Sequence, residues 1–234
     1  TEARTEYQCI LDREFDPGDY FWLAQSFEQD TRNHPMHPSR GHKWQLYSKV
    51  GIPSLNSNIG FYKVSLDARW FTPVIEEYNL VLQLHGYAGF TGPISGRNIP
   101  YGELFHVGGD RTVRGFLFGQ IGPKFLDDPI GAKKALYWNA ELCFPITPDM
   151  NMKGVLFYDG GAGFDTPYTD CISCERLTGN NFDYRHSVGV GIRLLSPMPV
   201  RVDWGFKLDR RKDKYNPDND ESSHEIHFGM SYDW

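Results

Sequence analysis

The stretch that most constrains this chain is its last eleven residues, 224–234, HEIHFGMSYDW. Even positions carry His224, Ile226, Phe228, Met230, Tyr232 and Trp234, and odd positions carry Glu225, His227, Gly229, Ser231 and Asp233. Successive side chains of a β-strand point to opposite faces, so this is a strand with one apolar and one polar face. The same alternation sets Val200, Val202, Trp204, Phe206 and Leu208 against Arg201, Asp203, Gly205 and Lys207. In 184–194 it sets Val188, Val190, Ile192 and Leu194 against Arg185, Ser187, Gly189, Gly191 and Arg193. A face this charged cannot fill the dry core of a sandwich. It suits a wet lumen, with the apolar face turned to lipid.

Six further segments read as strands. Two have clean alternation, 136–144 (LYWNAELCF) and 62–70 (YKVSLDARW); 80–88, 44–50, 154–164 and 21–30 are less regular. No segment has a convincing apolar stripe at helical spacing. Connections alternate in length: short turns at 145–151 and 196–199 trade with long polar loops at 90–134, 165–183 and 209–223. Short turns on one rim and long loops on the other is the construction of an outer-membrane barrel. The expected fold is therefore all-β, a transmembrane antiparallel β-barrel with about nine visible strands. The competing architecture is a soluble up-and-down barrel or sandwich, with Trp204, Phe206 and Trp234 packed inward.

Composition agrees. Hydrophobic residues make up 40% of the 234, mean hydropathy is negative, and 24 glycines and 15 prolines interrupt the chain. No apolar run approaches the roughly 18–20 residues of a membrane helix, a limit that leaves barrels open because their strands expose apolar groups only at alternate positions. The formal charge of −6 and the lack of a basic patch interleaved with aromatics argue against nucleic acid. The chain opens at Thr1, without a secretion signal, and reads as the carboxy-terminal piece of a longer protein.

The candidate functional segment is 101–122, YGELFHVGGDRTVRGFLFGQIG. Gly108-Gly109 leads into Val113-Arg114-Gly115-Phe116 within the longest loop. Glu141 and Asp159 stand at inward positions of the next two strands, where a loop folded into the lumen could bring Arg114 to both. A guanidinium is a planar fork that can serve two acids at once, and glycines let the loop backbone lie tightly against the wall.

This constellation resembles the BamA superfamily, outer-membrane barrels that insert or translocate other proteins. The resemblance runs from about Phe21 to Trp234 and rests on ordered motifs. Pro100-Tyr101 precedes the Gly-Gly pair, Val113-Arg114-Gly115-Phe116 and Ile121-Gly122-Pro123-Lys124 follow it, and VGVGIRLLSPMPVRVDWGF and an aromatic-ended last strand come later. It implies a sixteen-stranded barrel, of which residues 20–234 form the carboxy-terminal part with a lumen-directed loop at 90–134. Residues 1–19 match nothing in the family and are left as an unassigned, extracellular-loop-like segment. It also implies that Arg114 is held by Glu141 and Asp159, and that the last strand, with Phe228, Tyr232 and Trp234, is the barrel seam. The implied function is assembly of outer-membrane proteins. Its partners are unfolded clients, membrane lipid and accessory lipoproteins, the last bound by upstream POTRA domains that this sequence lacks. The alternatives are a two-partner-secretion pore or a passive porin.

No enzyme, cofactor or metal is expected. Ser223-His224 lacks a Gly-x-Ser-x-Gly elbow. His34, His37 and His42 lie in a Pro-rich turn that defines no ligand face. Cys171 and Cys174 form a single CxxC, with no second one to complete a zinc site. A loop disulfide in an oxidising compartment is the plainer reading, with Cys9 one candidate partner and the pairing undecided.

Overall fold

The computed structural model describes residues 2–14, 20–53, 58–147, 152–172, 176–194, 198–211 and 220–230. It opens with helix α1 (Glu2–Glu14), followed by long strands β1 (Tyr20–Asp30), β2 (Gly41–Pro53), β3 (Phe61–Ile75) and β4 (Leu80–Pro93). Two-residue strands β5 (Lys124–Phe125) and β6 (Asp128–Pro129) lie in the loop before β7 (Lys134–Thr147). The chain continues through β8 (Met152–Phe164), the two-residue β9 (Leu177–Thr178), β10 (Arg185–Leu194), β11 (Val200–Lys207) and β12 (His224–Gly229).

Nine of these strands form one sheet in the order β1-β2-β3-β4-β7-β8-β10-β11-β12, which is chain order without a crossover. Every neighbouring pair is antiparallel. The nine segments read from alternation are these nine strands. β5, β6 and β9 make a small separate sheet from the loops. Connections at one end are 31–40, 76–79, 148–151 and 195–199; at the other they are 54–60, 94–133, 165–184 and 208–223.

The sheet's two faces reverse the arrangement of a soluble protein. Along β11 the charged Arg201, Asp203 and Lys207 are buried, while Val202, Trp204 and Phe206 are 41%, 43% and 36% exposed. Leu136, Leu156, Val190, Ile192, Ile226 and Phe228 are likewise exposed on the outer face. The soluble alternative fails on this point, since its aromatic residues would have been covered. The inner face also differs from the wet lumen read from the sequence, because the 94–133 loop lies across it. Glu141, Asp159, Arg193 and Asp203 are all buried there.

The amino-terminal segment corrects the sequence reading in one respect. Residues Glu2–Glu14 are helical although their sequence has no apolar stripe. Tertiary contacts stabilise this helix: Ile10 is buried with Phe61, Leu104, Phe125 and Tyr168, and a disulfide joins Cys9 to Cys171. That bond links positions 162 residues apart and so pins the helix to the 165–184 loop. Cys174 lies outside the described residues, and the remaining cysteine, Cys143, is a buried free thiol.

A bilayer test follows from the two faces. Single-tryptophan variants retaining Trp204 or Trp138 should be quenched by lipids brominated in their acyl chains and resist an aqueous quencher. The opposite pattern would mean that the outer face does not meet lipid.

Candidate functional site

The sheet register assembles the site from five strands. Across β7 and β8, Asn139 pairs with Asp159 and Glu141 with Phe157. Across β8 and β10, Asp159 pairs with Ser187 and Phe157 with Gly189. β11 adds Asp203 opposite Gly191 and Gly205 opposite Gly189, and β12 adds His227 opposite Asp203. Because these partners share the inner face, five strands present one continuous patch of acids, a ring and glycines.

The glycines supply the room the loop needs. A Cβ on Gly205 would stand 2.5 Å from the backbone nitrogen of Gly115, and one on Gly189 would enter the Phe157 ring. Loop backbone thus lies directly on β11, an approach only a side-chain-free wall permits. Gly115 itself has φ +84°, a left-handed conformation that L side chains rarely adopt.

Each residue of Val113-Arg114-Gly115-Phe116 has a separate task. Val113 and Phe116 are fully buried with Phe105, Val107, Ile121 and Ala135. The Phe116 ring faces the Arg185 guanidinium at 4.9 Å and the Lys207 ammonium at 5.2 Å. Arg114 reaches the acids. Its Nε and Nη2 donate to Asp159 Oδ2 and Oδ1 at 2.7 and 2.8 Å, a two-pronged pair. Its Nη1 lies 2.5 Å from Glu141 Oε1 and 3.5 Å from Asp203 Oδ1. The guanidinium carbon stacks 3.7 Å above the Phe157 ring centre.

Backbone bonds hold the same residue. Arg114 N donates to Asp159 Oδ2 at 3.0 Å, Ser187 Oγ donates to the Arg114 carbonyl, and Gly115 N donates to His227 Nε2 at 2.9 Å. Arg193 completes the cluster, with Nη1 2.6 Å from Asp203 Oδ1 and Nη2 3.6 Å from Glu141 Oε1. Nearby, Arg201 pairs with Asp110 of the loop. Gly108 N donates to Thr112 Oγ1 at 2.8 Å, and Gly109 N to the Val113 carbonyl at 3.2 Å, closing the turn before Arg114.

Glu141 and Asp159 both border Arg114. The third acid, Asp203, and the second arginine, Arg193, stood on the inward face by parity in the sequence but were not joined to the site. Phe157, Ser187, Gly205 and His227 were missed as its supports. Their signal was the same parity along β8, β10, β11 and β12, which acquires meaning only once the register is known. Phe228 is exposed on the outer face, while Tyr232 and Trp234 lie outside the described residues.

The histidine-rich turn has its own occupation. His34 Nδ1 accepts from the backbone N–H groups of Met36 and His37 at 3.1 and 3.0 Å. His42 Nδ1 lies 3.1 Å from Thr31 Oγ1. Among the described residues no group of three or more His, Cys, Asp and Glu side chains could hold a metal ion. Ser223 Oγ stands 3.0 Å from His224 Nδ1 as an exposed pair.

Sequence comparison places this architecture in a family. Residues 4–234 match the Omp85 superfamily domain, and the chain belongs to that superfamily of outer-membrane β-barrels. It is 26% identical over 199 residues to the outer membrane protein assembly factor BamA of Neisseria meningitidis, covering 74% of this chain and 24% of that protein. It is also 26% identical over 192 residues to BamA of Nitratidesulfovibrio vulgaris, covering 80% of this chain and 23% of that one. The chain therefore spans about a quarter of the length of these curated relatives. The crystal structure of BamA from Haemophilus ducreyi lacking POTRA domains 1–3 superposes with a TM-score of 0.72 at 21% identity. That match covers 90% of this chain and 42% of that one, and it shows the shared barrel fold.

Three substitutions separate charge from space. Arg114→Ala and Asp159→Ala should each release the loop to proteolysis while the barrel still inserts, at a cost of about 3–5 kcal/mol for a buried ion left alone. Their double-mutant cycle should return a coupling of at least about 1 kcal/mol, and additive effects would place the arginine elsewhere. Gly205→Ala changes no charge, yet its methyl group should displace Gly115 and expose the same loop. Unchanged protease protection in this variant would contradict the backbone contact.

Proposed function

We propose that this chain is the carboxy-terminal barrel portion of a BamA-type assembly factor, which inserts and folds β-barrel proteins in the outer membrane. Residues 20–234 are the barrel part, residues 1–19 are an extracellular-loop-like segment that contains α1, and the long loop is directed into the lumen. The observation that carries the proposal is the loop clamped across the inner wall by Arg114 between Glu141, Asp159 and Asp203. A wall covered in this way gives poor support to a passive porin, whose inner face must stay open to water. The work then falls to the strand edges. In this reading no covalent step, cofactor or metal takes part, and the protein is not an enzyme.

β12 is the end of the sheet and pairs with β11 alone among the described residues. An edge strand presents unpaired N–H and C=O groups, and a client strand in extended form can take them up by β-augmentation. Phe228 belongs to this seam strand. The partners are unfolded outer-membrane proteins, with accessory lipoproteins reached through POTRA domains of the full protein. Arg114, Glu141 and Asp159 keep the loop docked while the edge exchanges partners.

The test uses the full-length protein in proteoliposomes with an unfolded barrel client. Wild type should accelerate the client's heat-modifiable folding. Arg114→Lys, which keeps charge but loses the fork, should lower the rate by about tenfold or more. Deleting residues 228–234 should abolish insertion of the factor itself. Client folding at the rate of empty liposomes with wild type present would end the assembly reading.

A further inference from the structure

The turn between β1 and β2, residues 31–40, is the longest connection at the short-turn end. The β1–β2 hairpin stops early: Gly41 pairs with Phe71, yet β3 runs on to Ile75. A turn placed there still has wall beside it and can fold inward. Met36, His37 and Pro38 border one cavity together with Cys143 of β7, Lys153 of β8 and Arg193 of β10. Five steps along the sheet separate β2 from β10, an arc of about 24 Å at ~4.8 Å per strand. The residues from Thr31 to Met36 span at most about 17 Å when extended. The turn therefore reaches β10 as a chord across the concave inner face.

Internal bonds brace the turn. Asn33 Oδ1 accepts from the backbone N–H groups of Ser39 and Arg40 at 2.9 and 3.1 Å. Arg32 Nη1 donates to the Pro35 carbonyl at 3.1 Å, and Arg32 Nη2 donates to Asp30 Oδ2 at 2.7 Å. Pro35 and Pro38 each fix a backbone angle. The segment thus enters the lumen as one braced piece.

The tip suits what it meets. Pro38 is buried, and the His34 and His37 rings stack with centres 5.3 Å apart. Burial first, and then the positive charge of Lys153, hold the His37 imidazole below its ordinary pKa, so a neutral ring lies near the lysine. The space left between tip and wall is about 10 Å³, room for one water at most. Glu141 borders the same space, and both it and Arg193 belong to the Arg114 cluster. The tip therefore lies against the short-turn side of that cluster.

We infer that the 31–40 turn is a plug, seated against β7, β8 and β10, that closes the approach to the Arg114 cluster from the short-turn side. The lumen loop covers the same cluster from the other end. Buried charges enclosed between two segments are kept from water, and their attraction is stronger for it. The plug is a property of the inner wall and holds whether or not the barrel assembles clients.

Cys143 is a built-in reporter, because it is a free thiol, 5% exposed, at the contact with the tip. The full-length protein in nanodiscs is treated with a water-soluble maleimide, and modification of the Cys143 peptide is followed by mass spectrometry. Replacing residues 34–38 with two glycines should speed modification on the order of tenfold or more, since local opening of the plug is no longer needed. Heat-modifiable mobility identifies variants whose barrel is intact. Equal rates in wild type and an intact variant would overturn the inference. Met36→Cys leaves the turn in place and decides the matter if the shortened turn does not fold. A short thiol-to-thiol crosslinker should join position 36 to Cys143 in that variant, and no crosslink in the folded protein would overturn the inference as well.

Discussion

Burial of one guanidinium is the constraint on which the rest of this structure depends. Arg114 is 3% exposed, and a charge so placed must be met by opposite charge and by hydrogen-bond acceptors. The acids that meet it come from β7, β8 and β11, and Arg193 from β10 balances the surplus of negative charge. A loop residue is thereby coupled to four consecutive strands of the wall. Such a cluster contributes position more than gross stability, because an apolar replacement of the whole can be neutral while loss of one partner costs about 3–5 kcal/mol. The loop is held where Glu141, Asp159 and Asp203 surround the guanidinium above the Phe157 ring.

The remaining inner-face features follow from that placement. A guanidinium stacked on Phe157 needs the ring to lie flat, and the ring lies flat because Gly189 beneath it has no side chain. A loop backbone pressed on β11 needs Gly205, and its reversal needs the left-handed Gly115. Backbone polar groups lodged in such a space must be paired, and Asp159, Ser187 and His227 pair them. The outer face has no comparable demands. It needs only apolar side chains at alternate positions, and the exposed Val190, Trp204 and Phe228 meet that need.

At the opposite end from the short turns, the loops form a core of their own. Ile10 of α1, Phe61, Leu104, Phe125, Ile130 and Tyr168 pack together, and the Cys9–Cys171 disulfide crosses this cluster. The lumen loop therefore has two supports of different chemistry, an apolar cap at the rim and an ionic clamp deeper in the wall. Helix α1 belongs to the cap. In isolation a 13-residue helix without an apolar stripe would be marginal, and here packing and the disulfide stabilise it.

Alternation located the nine strands and assigned a face to the residues of the regular ones. A period of two is a local property, and each of residues 200–208 can be assigned a face from its neighbours. The sequence also supplied Arg114, Glu141 and Asp159, since a loop arginine and two inward acids stand in plain view along the chain. Tertiary structure alone decided that Asp203 and Arg193 join them, that Gly205 touches Gly115, and that residues Glu2–Glu14 are helical. These facts depend on strand register and on how deeply the loop descends, and both arise from interactions between residues far apart in the chain. Periodicity states which face a side chain occupies, but not which side chain of another strand lies beside it.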